Sequence, residues 1–143
     1  MKFLVALLAV IGGAAVAIQS QVNGGLGRKV GLMEASFLSF FIGTLILFFL
    51  TIFFGKGNLL EVTEVPRWQL IGGILGALYV CINIFAVNKI GVASTLMAII
   101  LGQILLGAVI DHFGLFGGER YPMNSNKIIA ILLLFGAIYL YNK

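Results

Sequence analysis

The stretch ASFLSFFIGTLILFFLTIFF, residues 35–54, runs for twenty positions without a charge, and Ser36, Ser39, Thr44 and Thr51 are its polar interruptions. A bilayer core of about 30 Å is crossed by roughly 20 apolar residues in helical form. This run therefore reads as a membrane-spanning helix, and the rest of the chain repeats the pattern on either side. Phe3 to Ile18 is uncharged and continues through Gln19 toward Leu26. Trp68 to Asn88 carries Gln69 at its entry and Asn83 deep inside. Ile90 to Ile110 holds Ser94, Thr95 and Gln103. Ile128 to Tyr141 is shorter and extends back through Asn124 to Asn126, with Lys127 reaching to the interface. The expected spans are thus about 3–26, 33–54, 68–88, 91–111 and 126–141, in a single polytopic membrane domain.

Composition agrees. Of 143 residues, 61% are hydrophobic and 10% charged, too few charges to clothe a soluble surface. The period-two alternation of a membrane barrel is absent. Helices satisfy every backbone polar group within the segment, so an all-α integral membrane fold with five transmembrane helices is expected. Trp68, Tyr121, Tyr139 and Tyr141 fall near the expected interfaces. A rival reading of the first segment is a signal peptide, with Lys2, a short apolar core and Ala15-Val16-Ala17 as a cleavage site. Cys81 is the only cysteine, which excludes an internal disulfide and reads as a small apolar filler.

The connections at Gly55 to Pro66 and Phe113 to Asn126 are too short to fold as domains. The net charge of +4 is dispersed, and no basic block exists to bind nucleic acid. With five spans, one side of the membrane receives Lys2, Lys56, Arg67, Arg120 and Lys127; the other receives Arg28, Lys29, Lys89 and Lys143. Five cations against four is a weak orienting bias. Two outcomes fit: one orientation with a weak signal, or copies inserted both ways and paired as a ten-helix antiparallel homodimer. Inverted repeats around a midplane site are the architecture of many secondary transporters.

A shift of sixty positions superposes Ile11, Gly12, Gly13, Ala17, Asn23, Lys29 and Gly31 on Ile71, Gly72, Gly73, Ala77, Asn83, Lys89 and Gly91 without a gap. The expectation is two related hairpins, first with second helix and third with fourth, followed by a lone C-terminal helix. Shared membrane composition is the competing explanation.

Several strings taken together resemble a known family: residues 21–28 (QVNGGLGR), Ala35-Ser36-Phe37, Ser39-Phe40, Phe41-Ile42-Gly43-Thr44, Gly72-Gly73, Gly76-Ala77-Leu78-Tyr79, Gly102-Gln103 and Asp111-His112-Phe113-Gly114. In that order they are similar to the YdcZ-type family of the drug/metabolite transporter superfamily, over nearly the whole chain. The resemblance implies five-helix half-transporters that occur singly, as pairs, or fused into ten-helix proteins. It implies architecture more than cargo.

The candidate site residues are the polar groups inside the spans. Gln103 lies near mid-bilayer, where its amide either contacts substrate or acts as interhelical glue. Gly107 follows one turn later. Gln19 and Asn23 share a helix face and either line a wet vestibule or mark the helix end. Tyr79 and Asn83 share a face with Gly72 and Gly76, whose spacing permits close helix packing. Glu34 stands near the entry of the second helix, within reach of Arg28 or Lys29, and belongs to an interfacial charge cluster or a transport site. Asp111 and His112 stand at the exit of the fourth helix; aspartate there opposes the helix dipole, which suggests proton or charge linkage unless this is an ordinary solvated boundary.

No charged residue occupies the middle of a span, so the central carboxylate of a proton-coupled exporter of hydrophobic cations is missing. Amides, hydroxyls and aromatics suit a neutral, zwitterionic or anionic polar solute better, and the expected cargo is a small polar or amphiphilic metabolite. The expected function is transport by alternating access, in a bacterial inner membrane, with an inverted second copy or a related half-transporter as partner. Membrane lipid and a small-molecule substrate complete the expected contacts. A lipid-carrier flippase and a non-transporting assembly subunit are the alternatives. No catalytic constellation, metal cluster or cofactor motif is present in the sequence, so an enzyme is not expected.

Overall fold

The computed structural model describes residues 1–143, and every regular element is helical. The five α-helices are α1 (Lys2–Val30), α2 (Leu32–Phe54), α3 (Ile71–Ile90), α4 (Val92–Phe113) and α5 (Ser125–Tyr141). The first four are each long and apolar enough to cross a membrane; α5, with 17 residues, is shorter. At about 1.5 Å per residue, α1 is about 43 Å long and α5 about 25 Å. The chain divides into two compact units, residues 1–89 and 90–143.

In the first unit α1 and α2 form an antiparallel hairpin turned by one residue, Gly31, at φ 106°. That backbone conformation is open to glycine and strained for other residues. The pairing is symmetric about the turn: Asn23 Nδ2 donates to Ser39 Oγ at 3.0 Å, eight residues to either side of Gly31. α1 runs on to Val30, past the expected boundary at Leu26 and through the Gly24-Gly25-Leu26-Gly27 stretch. Two of those glycines pack against α3, so the contact offsets what helical glycine costs. The segment before α3 folds into short 3-10 turns, Leu59–Thr63 and Arg67–Leu70, the first capped by Asn58 Oδ1 accepting from Leu60 N–H at 3.0 Å.

The core is small. Ala35, Val80 and Ile84 are buried and packed by Leu26, Leu32 and Tyr79. Almost all other large apolar side chains face outward, as Phe54 does at 75% exposure. Outside lipid such a surface would aggregate; in lipid it is the expected exterior. Four of the hydroxyls in the helices are satisfied locally. Ser20, Ser36, Thr51 and Thr95 each donate to the carbonyl one turn back, at 2.7–2.8 Å.

In the second unit α4 packs against α5. α4 ends at Gly114, which is left-handed at φ 64°, and α5 is capped by Asn124 Oδ1 accepting from Lys127 N–H at 2.9 Å. The residue that joins α3 to α4 is again one glycine, Gly91 at φ 80°, sixty positions after Gly31.

Candidate functional site

The polar groups of the first unit gather where α1, α2 and α3 meet. A helix carrying glycine can approach another almost to backbone contact. Here a Cβ on Gly24 would stand 2.9 Å from Val87 Cγ1, and one on Gly27 2.6 Å from Ile84 Cγ2. These two contacts are reciprocal: the sixty-residue shift carries Gly24–Val87 onto Ile84–Gly27. At the end of the same seam Arg28 Nη1 donates to Asn88 Oδ1 at 2.5 Å, a pair sixty residues apart.

Beside each close approach sits an asparagine. Asn23 is buried, and its amide reaches Ser39. Asn83, 4% exposed, keeps a buried Nδ2 with no hydrogen-bond partner. A buried donor left unpaired costs about 1–3 kcal/mol. Cys81, half-buried on α3, donates to Ser36 Oγ at 3.2 Å and links α3 to α2.

Between the hairpin and α3 lies a cavity of about 190 Å³ lined by Gln19, Ser39, Phe40, Gly43, Thr44, Leu47 and Val80. Its polar lining comes from Gln19, Ser39 and Thr44, with Asn23 bonded to Ser39 from behind. Tyr79 is half-buried against the Ala35–Val80–Ile84 core. The first unit thus brings Gln19, Asn23, Tyr79 and Asn83 to one helix junction.

The remaining candidates lie elsewhere. Glu34 makes no ion pair with Arg28 or Lys29; its carboxylate lies back against Gly31 while Arg28 turns to Asn88. Gly76 receives the Phe40 ring, at 3.3 Å from its would-be Cβ, whereas Gly72 and Gly107 have no neighbour within 4 Å of theirs. Gln103 is exposed on α4 and has no hydrogen bond within the chain.

Asp111 and His112 fall in the last turn of α4. The Asp111 carbonyl accepts from Tyr121 N–H at 2.8 Å, and His112 Nδ1 accepts from Met123 N–H at 3.0 Å, so the imidazole proton is on Nε2. These bonds fold the connecting loop back onto the end of α4. In that loop Tyr121 donates to Glu119 Oε2 at 2.5 Å, and this bond, with the nearby Asp111 charge, raises the phenol above its ordinary pKa.

Sequence reasoning passed over the packing role of Gly24 and Gly27, and the part of Ser39 and Thr44 in the cavity. The available signal was the glycine cluster itself, standing opposite the Ile84 to Val87 segment under the sixty-residue shift.

Comparison with known proteins adds identity to geometry. Residues 4–140 match the model of a family described as "Putative inner membrane exporter, YdcZ". The inner membrane protein YdcZ of Escherichia coli (strain K12) is 32% identical over 83 residues, 58% of this chain and 54% of that protein. The chain therefore spans about half the length of the curated relative it matches. No solved structure matches it.

Proposed function

The chain belongs to the YdcZ family and is a multi-pass bacterial inner-membrane protein; from that premise we propose that it transports a small polar or amphiphilic metabolite as one half of an antiparallel homodimer. The observation that carries this reading is the size and polarity of the α1–α2–α3 cavity. At about 190 Å³ it is lined by an amide and two hydroxyls in an otherwise apolar chain. Ligand sites usually measure about 300–1,000 Å³, so one chain holds a fraction of a site and a second copy supplies the rest. Gln103, exposed and unpaired on α4, is the group this reading sets against the partner.

Alternating access would follow from rocking of the hairpins about the glycine contacts at Gly24 and Gly27, with the single-residue joints Gly31 and Gly91 taking up the backbone change. Asn23, Asn83, Gln19 and Tyr79 would face the solute, and the chemistry is binding and release, with no bond made or broken. Glu34, Asp111 and His112 are the groups available for proton or charge linkage. A related half-transporter could replace the second copy. The apolar groove described below favours a second reading, movement of a lipid-like carrier.

The test is terminal-cysteine labelling in intact cells in a Cys81→Ala background. Roughly half of the copies should react with an impermeant reagent, as equal dual insertion requires. Labelling of all copies or none removes the antiparallel pair. In proteoliposomes, Gln19→Ala and Thr44→Val, both in the cavity wall, should abolish solute flux while leaving dimer assembly intact, and unchanged flux removes the cavity from the mechanism.

A further inference from the structure

The second unit carries a different cavity. A groove of about 470 Å³ runs between α4 and α5, walled by Ile104, Gly107 and Ala108 on one side and Ala130, Ile131 and Leu134 on the other. On each helix the lining follows an i, i+3, i+4, i+7 pattern and ends in a charge, Asp111 on α4 and Lys127 on α5. The groove is thus about 10 Å of small and aliphatic side chains closed at one end by two opposite charges.

Both charges stand against their helix dipoles: Asp111 in the last turn of α4, Lys127 in the first turn of α5. Neither relieves the other, because no Asp111–Lys127 ion pair forms. Lys127 Nζ donates to the carbonyls of Tyr121 and Pro122 at 3.1 Å, which leaves one of its three N–H groups to give. The Asp111 carboxylate accepts no hydrogen bond. The groove mouth therefore offers an unpaired carboxylate, a partly committed ammonium, and an apolar trough below them.

We propose that this groove binds a bilayer lipid with a phosphoethanolamine head, its ammonium on Asp111, its phosphate toward Lys127 and an acyl chain along Gly107, Ala108 and Ala130. Charge complementarity selects this occupant. A head with an anion alone would set its charge against Asp111, and a quaternary ammonium has no N–H to donate to the carboxylate. A helix from a second copy would bury both charges in hydrocarbon. The site is separate from the α1–α2–α3 cavity, and its occupancy does not depend on transport.

The experiment is mass spectrometry of the intact chain released from detergent with phosphatidylethanolamine, phosphatidylglycerol and phosphatidylcholine of identical acyl chains, each added at equal concentration. Phosphatidylethanolamine adducts should exceed the other two by about tenfold, the scale of one charged hydrogen bond. Asp111→Asn should bring the three to parity, and Lys127→Gln should weaken phosphatidylethanolamine binding. Gly107→Leu should lower all adducts by filling the trough; a Cβ at this position meets no neighbour within 4 Å, and unchanged helicity by circular dichroism verifies the fold. Equal adducts in the wild type, wild-type preference in Asp111→Asn, or wild-type adduct levels in Gly107→Leu overturn the proposal. So does displacement by tail-less phosphoethanolamine at the same concentration. Disulfide trapping of lipid-free dimers through Ala130→Cys would assign the groove to a second copy and also overturn it.

Discussion

In residues 1–89 the span amides Asn23 and Asn83 are buried, and Asn23 is bonded within the unit; in residues 90–143 Gln103 and the Asp111 carboxylate face outward with no bond at all. The first unit draws its helices together through Gly24 and Gly27, while Gly107 in the second opens onto a groove. Glycine is therefore used in two opposite ways. One use brings backbones together; the other keeps space for something else. The lesson is that the first unit buries its span amides, whereas the second leaves Gln103 and the Asp111 carboxylate on its surface with no partner inside the chain.

The sharpest way to break this contrast is to add one methyl group to each glycine. Gly27→Ala drives Cβ into Ile84, a stiff β-branched side chain, and should destabilise the first unit by about 1–2 kcal/mol after helix propensity is counted. Gly107→Ala meets nothing and should stabilise the second unit by up to about 1 kcal/mol. Reversible unfolding in mixed micelles measures both, and equal signs would erase the distinction.

Next in size is Asn83→Leu. Removal of a buried unpaired donor should stabilise the first unit by about 1 kcal/mol while flux is lost. A destabilised variant would mean that Asn83 serves packing and not a ligand. A double-mutant cycle over Asn23→Ala and Ser39→Ala should then give a coupling of about 0.6 kcal/mol, the usual strength of an interhelical bond in membranes. The smallest stability effect belongs to Gln103→Leu, within about 0.5 kcal/mol for the monomer. Crosslinking should nevertheless show its dimer weakened; an intact dimer would place the unpaired amide outside the interface.

Much of the helical plan was legible before any coordinates. Residues 35–54 expose their nature because lipid transfer is nearly a sum over residues, and an uncharged run of that length has no other solvent. The fifth helix was legible as short for the same reason. The site was legible only in outline. Asn23 and Asn83 could be named as polar groups in spans, yet nothing in their spacing said that Asn23 would find Ser39 and Asn83 would find no partner. The Gly72-x-x-x-Gly76 spacing drew attention as a packing motif, but Gly72 meets nothing, and the close approach occurs at Gly24 and Gly27. Small-residue spacing recurs throughout this chain, and choosing among copies requires knowing which faces meet.

By itself the amino-acid order determined the helical class, the approximate span positions and the exclusion of charge from span centres, since each follows from a residue's own cost of entering hydrocarbon. Tertiary structure alone decided that Arg28 pairs with Asn88 and not Glu34, that the cavity forms around Gln19, Ser39 and Thr44, and that Asp111 and Lys127 share a groove. Those outcomes depend on helix rotation and close approach, which many weak contacts set jointly and no single residue encodes.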